Sequence, residues 1–197
     1  MISCFTPGTR ITTRHGQVLV EALVPGDLVL TRDHGLQPVR WVGAKRLDTA
    51  VLAADPRLQP ILIEKGALGA GLPERDMMVS RQHRMLVCGP KAELLFGSDE
   101  VLVRAAHLTV LPGVRALALP DVTYLHILFD RHEVVLADGA WSESFQPGDR
   151  SLGAMDADQR AELQAIFPEM AAPEMPVQFE SARITLKSFE AKVLLAA

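Results

Sequence analysis

A cysteine at position 4 stands three residues before a Pro7-Gly8 turn. A thiol attacks a carbonyl as its thiolate, and a nearby base or a lowered pKa raises the thiolate fraction. Cys4 therefore has two readings. It is an inert core residue, which is the plainer one, or a nucleophile set against its own backbone. In "MMVSRQHRMLV", Ser80 and His83 stand three residues apart between two strand-like runs. That spacing lets a hydroxyl and an imidazole converge on one peptide group at a turn. Histidine is the side chain best suited to moving a proton near neutral pH. The plainer reading of His83 is a surface loop. In "TYLHILFDRHEVVLADGAWSES", Asp130 and His132 flank a turn ahead of a hairpin. His126 shares a strand face with Leu128 and Asp130 if that strand is continuous. Taken singly, these are a solvated turn and a half-buried strand position. None of the three places is specific alone; their order and contexts are.

The elements that must position these groups are mostly strands. Pro-Gly, Gly-Pro and Asp-Gly pairs recur at Pro7-Gly8, Pro25-Gly26, Gly89-Pro90, Pro112-Gly113, Asp138-Gly139 and Pro147-Gly148. Short β-rich runs lie between them: 17–21, 28–31, 38–42, 60–63, 77–80, 85–87, 101–103, 122–129 and 133–137. Val134 to Ala137, then Asp138-Gly139, then Ala140-Trp141 predicts a hairpin with a primed turn. An all-β body over residues 1–145 follows. Beyond Pro147-Gly148 the pattern changes. A helix is predicted over Asp156–Phe167 with Pro168 as its stop, then a proline-rich loop over 168–176. A second helix, Thr185–Leu195, carries Leu186, Phe189, Val193 and Leu194 at helical spacing. Residues 146–197 are thus expected to form a helical extension packed on the body.

The totals exclude several classes. The 197 residues carry 20 basic and 24 acidic side chains, a formal net charge of -4, with no basic block to suggest nucleic acid. No run of 18 apolar residues predicts a membrane span, and no basic-then-apolar start predicts a signal peptide. The expected setting is cytoplasmic, or secreted as part of a longer protein. Two cysteines, Cys4 and Cys88, make no disulfide framework. Cys88 reads as a core thiol. The six histidines show no metal-ligand spacing, and there is no phosphate loop, so no metal or cofactor is expected.

Together these motifs resemble a known family. "CFTPGTRITTRHGQVLVEALVPGDLVL" is similar to the first block of Hint domains, the self-processing module shared by inteins, Hedgehog C-terminal domains and bacterial intein-like domains. The likeness lies in Cys4, Pro7-Gly8-Thr9, Gly16, Val20-Glu21 and Pro25-Gly26-Asp27. "VSRQH" resembles the second block, with Ser80 in the usual Thr place and His83 in the His place. The "TYLHILFDRHEVVLADGAWSES" segment resembles the closing blocks, with His132 in the penultimate block's His place. The details look most like the bacterial intein-like subfamily. The resemblance implies a mostly β, horseshoe-like fold over residues 1–145.

It also implies a mechanism. Cys4 Sγ would attack the Ser3 carbonyl carbon and turn the Ser3–Cys4 amide into a thioester. His83 would protonate the leaving nitrogen and Ser80 would anchor the peptide; Asp130 is either an orienter of His132 or part of a solvated turn. Water or a small nucleophile would then free the chain's own upstream segment, a single-turnover event. The three residues before Cys4 imply truncation, or excision from a longer protein. Splicing inteins end in His-Asn, whose Asn cyclises; here Ser142-Glu143-Ser144 stands in that place, with no side-chain amide. C-terminal cleavage and full splicing are not expected. The aspartate many inteins carry in the penultimate block falls near Leu125 or His126, and Asp48 lies loosely where Hedgehog proteins carry an activating aspartate. The rival readings are a degenerate, non-catalytic binding or export-associated Hint module and, more distantly, a cysteine hydrolase acting in trans.

Overall fold

The expected hairpins form where turn chemistry demands them. β1 (Arg10–Thr13) folds back on β2 (Gly16–Leu19), and β3 (Leu28–Thr31) on β4 (Gly35–Pro38). β12 (Val134–Ala137) returns as β13 (Ala140–Glu143). Asp138 and Gly139 at that last turn have φ 46° and 78°. Two positive φ angles in succession make the primed turn whose twist matches its strands. The computed structural model describes residues 3–147 and 180–196. The molecule is mostly β.

The largest sheet runs β14-β9-β8-β13-β12-β1-β3-β4, with β2 paired to β1. Here β8 is Arg84–Cys88, β9 Glu100–Arg104 and β14 Ile184–Thr185. A three-stranded sheet joins β10 (Val114–Ala116), β6 (Ile61–Ile63) and β7 (Met77–Val79). A long two-stranded ribbon pairs β5 (Trp41–Leu47) with β11 (Val122–Leu128) along all of both strands. Buried faces of these sheets meet in one core that includes Phe5, Ile11, Ile61, Val79, Met85, Val103, Ile127 and Val135.

The chain start is threaded between two of these layers. Phe5 makes antiparallel bridges to Val79 of β7 on one side and Leu125 of β11 on the other. Phe5 N–H donates to Leu125 O and Leu125 N–H to Phe5 O, both at 2.9 Å. The Ser3–Cys4 peptide is thereby held between the end of β7 and the middle of β11.

Several elements differ from expectation. Three short helices interrupt the β body: α1 (Thr49–Ala54), α2 (Pro90–Phe96) and α3 (Ala105–Leu108). Each is too short for a hydrophobic period to show. Asp48 caps α1, accepting from Val51 N–H at 3.0 Å. Cys88 is exposed at the end of β8, not core; pairing with Glu100 at the sheet's end leaves it at the surface. Cys4 and Cys88 are not joined in a disulfide. The last helix, α4, starts at Ser188 and runs to Leu195, because Thr185 is used in pairing β14 parallel to β9. Leu186, Ala191 and Leu194 complete the main core. The helix expected over 156–167 and the loop over 168–176 lie outside the described residues.

Candidate active site

β7 ends at Val79, and the chain turns through residues 80–83, with His83 N–H donating to Ser80 O at 3.0 Å. The turn aims both expected side chains at the chain start. Cys4 N–H donates to Ser80 Oγ at 3.0 Å, and Ser80 N–H donates to Cys4 O at 3.0 Å. His83 Nδ1 lies 3.0 Å from Ser3 Oγ. The Phe5 ring meets the His83 imidazole edge-on, with centroids 4.5 Å apart. Cys4, Ser80 and His83 are all buried.

The carbonyl end of the same peptide is held from β11. His126 Nδ1–H donates to Ser3 O at 2.9 Å. A carbonyl only accepts, so Nδ1 carries the proton and Nε2 is bare. That bare nitrogen faces Cys4 Sγ at 3.7 Å. One imidazole thus contacts both the oxygen and the thiol. Its orientation is set by aromatic packing. His126 pairs across the ribbon with Gly43. The Trp41 indole covers that glycine and stacks with His126, centroids 6.2 Å apart and planes 10° apart. Phe145 flanks the ring at 5.2 Å.

Burial governs the protonation states. It pushes the Cys4 thiol well above its ordinary value, with the Ser80 hydrogen bond opposing. No standing thiolate is present near neutral pH, so the thiol proton must leave as the sulfur attacks. Burial lowers His83 to about 4, against the opposing pull of Glu143. It lowers His126 to about 4, against the hydrogen bond to Ser3. Both imidazoles are neutral at pH 7. Neutral His126 is a proton acceptor at Nε2, and neutral His83 keeps a proton to give. Among the described residues, His83 Nε2 has no partner.

His132 makes its hydrogen bonds elsewhere. Its Nε2–H donates to Glu143 Oε2 at 3.1 Å, and its Nδ1 accepts from Ala182 N–H at 3.0 Å. Both nitrogens are committed, one of them to the C-terminal segment. Asp130 does not orient it: Asp130 is exposed and faces Arg40 Nε at 3.3 Å. The turn at 130–131 is solvated, as its polar sequence allows. Glu143, fully buried, takes the orienting place. Arg84 N–H and Nε each reach it at 2.8 Å. Burial pushes the Glu143 carboxyl up, but the His132 hydrogen bond and the Arg84 charge outweigh it and hold the group below its ordinary range. Sequence reasoning missed Glu143, Arg84, Trp41, Gly43 and Phe145 as supports. The Glu143 carboxylate, standing where a cyclising amide would, was the one signal available.

The comparison with known proteins decides the family. A family model described as the Hint domain matches residues 3–149. The chain belongs to the Hint domain family. Hint domains are autoprocessing modules, and the mostly β fold expected from the sequence is theirs. Solved structures similar to this Hint domain include a bacterial intein-like domain from Clostridium thermocellum, 14% identical over 72% of this chain and 97% of that one, TM-score 0.45. A DnaB intein from Synechocystis sp. PCC 6803 is 12% identical over 72% and 98%, TM-score 0.43. The gp41-1 intein is 11% identical over 71% and 97%, TM-score 0.42. No curated protein matches. Among the described residues, no cluster of His, Cys, Asp and Glu could hold a metal ion, and no helix is long and apolar enough to cross a membrane.

Proposed function

We propose that this Hint domain converts the Ser3–Cys4 amide into a thioester and releases whatever polypeptide precedes Cys4. The observation that carries this reading is a grip on one peptide bond. Its oxygen is held by His126, its nitrogen by Ser80, and the thiol of its own cysteine lies against His126.

An amide resists attack because resonance stabilises it and nitrogen leaves poorly. His126 meets the first difficulty. As Cys4 Sγ bonds to the Ser3 carbonyl carbon, the thiol proton passes to His126 Nε2. The imidazolium so formed donates more strongly through Nδ1–H to the developing oxyanion. Base and oxyanion donor are then one ring, charging as the oxygen charges. Collapse of the tetrahedral intermediate breaks the C–N bond. The nitrogen gains a proton from His83, the thiol proton held on His126 replaces it so that both rings end neutral, and Ser80 Oγ is the hydroxyl in contact with that nitrogen. The electron pair of the broken bond stays on nitrogen, and the product is a thioester with a free Cys4 amine. Water or a small nucleophile then takes the acyl group.

Splicing is not part of the reading. Glu143 has no side-chain amide, and its ionised carboxylate, pinned by Arg84 and His132, is not an electrophile. The test is the intact mass of a small folded domain fused upstream of the chain, incubated at pH 7 with dithiothreitol or hydroxylamine. Release between Ser3 and Cys4, with hydroxylamine leaving a hydroxamate and Cys4→Ala abolishing it, supports the thioester. A fusion that stays whole under all conditions overturns it.

A further inference from the structure

The acceptor needs a place to stand, and the surface beside the Ser80–His83 turn offers one. A cleft of about 420 Å³ is lined by Asp55, Arg57, Leu58, Arg81, Gln82 and Ala106. Two of its lining residues belong to the active-site turn. Arg81 and Gln82 are the middle of the turn whose ends, Ser80 and His83, hold the scissile peptide. Ala106 N–H donates to Arg81 O at 3.0 Å and fixes that turn against α3. Leu58, which also lines the cleft, packs on the cluster of Cys4, Leu52, Val122 and Tyr124. Tyr124 Oη donates to Leu58 O at 2.7 Å. The cleft therefore adjoins both the turn that holds the scissile peptide and the apolar cluster that contains the thiol.

Its charge is unbalanced. Arg57 is spent on Asp55, with Nε to Oδ1 at 2.8 Å and Nη2 to Oδ2 at 3.0 Å. Among the described residues, the Arg81 side chain has no hydrogen-bond or ion-pair partner. One cation is left over, next to an amide and an apolar floor.

We infer that this cleft binds the acceptor, a small nucleophile that carries an anionic group, with Arg81 pairing the anion and Leu58 taking the apolar stem. The inference deepens the thioester reading and rests on it. The step it serves is thiolysis or aminolysis of the Cys4 thioester. The nucleophile bonds to the Ser3 carbonyl carbon, the carbon–sulfur bond breaks, and the nucleophile's proton ends on Cys4 Sγ.

The experiment has two arms on the full chain. In the first, the upstream fusion is cleaved by 2-mercaptoethanesulfonate, 2-mercaptoethanol or cysteamine, and each rate is divided by that thiol's rate on a free peptide thioester. The anionic thiol should be favoured over the neutral one by roughly two- to fivefold, as one partly solvated ion pair allows. Arg81→Gln should remove the preference, Arg81→Lys should keep most of it, and ~0.5 M salt should weaken it. In the second arm, the unreactive probe ethanesulfonate is titrated into Cys4→Ala protein and amide shifts are followed by NMR. Saturable shifts at residues 57–58, 81–82 and 106 that vanish in Arg81→Gln support the site. Equal normalised rates for the three thiols, or no shifts at these residues, overturn it. A fusion that no thiol and no hydroxylamine cleaves overturns the thioester reading, and with it the acceptor role; the shifts still report whether the cleft takes an anion.

Discussion

His126 Nε2 lies 3.7 Å from Cys4 Sγ while the same ring's Nδ1 holds the carbonyl oxygen of the residue before that cysteine. The two jobs of this imidazole separate by substitution. Asparagine places an amide near the Nδ1 position and nothing near Nε2. His126→Asn should therefore keep a donor to the oxyanion and lose the base, lowering the single-turnover release rate by roughly 10²–10⁴. His126→Ala loses both and should fall about a further 10²-fold. Release rates of an upstream fusion in dithiothreitol measure both. Equal rates in the two variants would refute the division of labour.

Acid should destabilise the domain well before it protonates ordinary carboxylates. His83 is faced by Glu143, Arg84, His126 and His132, and His126 by Ser3 O, Cys4 and Lys45; for both rings burial dominates and lowers the pKa from 6.5 to about 4. Between those values the unfolded chain takes up protons that the folded chain refuses. Their stabilisation is complete above pH 6.5 and is lost as pH falls through about 4. By pH 5 each histidine should have cost about 2 kcal/mol. Glu143, held below its ordinary value, works in a lower window and does not contribute there. Urea denaturation of Cys4→Ala protein at pH 7 and pH 5 checks this. A flat profile between them would contradict the buried neutral histidines.

What was legible in the sequence depended on range. The β12–β13 hairpin was readable because its turn residues dictate backbone angles locally. Cys4, Ser80 and His83 were readable because two short motifs carry them. The weight of His126 was not. Its partners, Ser3 O, Cys4 Sγ, Trp41 and Phe145, come from three separate parts of the chain, and only the fold joins them. Asp130 misled for the same reason: nearness in sequence suggested it as the orienter of His132, but strand pairing brings Glu143 there instead. β14 was missed because two residues paired in parallel with a distant strand leave no periodic signal.

Gly43 should prove a positioning residue despite having no side chain. A Cβ there would lie 2.0 Å from the Trp41 ring. The indole, buried and stacked on His126, could not yield without moving the imidazole. Gly43→Ala should cost about 1–3 kcal/mol in stability. It should also slow release more than an equally destabilising change remote from the site, such as Leu194→Ala. Matched release rates in the two variants at equal fraction folded would show that the stack does not hold His126.

Glu143 should act as a lock on the fold and not as a cleavage residue. It is fully buried and ties β13 to Arg84 of β8 and to His132, whose other nitrogen receives Ala182 N–H from the C-terminal segment. Glu143→Gln leaves the Arg84 guanidinium, itself mostly buried, without its counter-charge. Removing one partner of such a pair costs roughly 3–5 kcal/mol. The double variant Glu143→Gln, Arg84→Met removes the stranded charge and should recover part of that loss, so the double-mutant cycle reports the coupling. Mass spectrometry of a domain fused after residue 197 should show no C-terminal scission in either variant, since neither restores an asparagine. A loss below about 1 kcal/mol in Glu143→Gln would mean that the ion pair is worth no more than a surface contact.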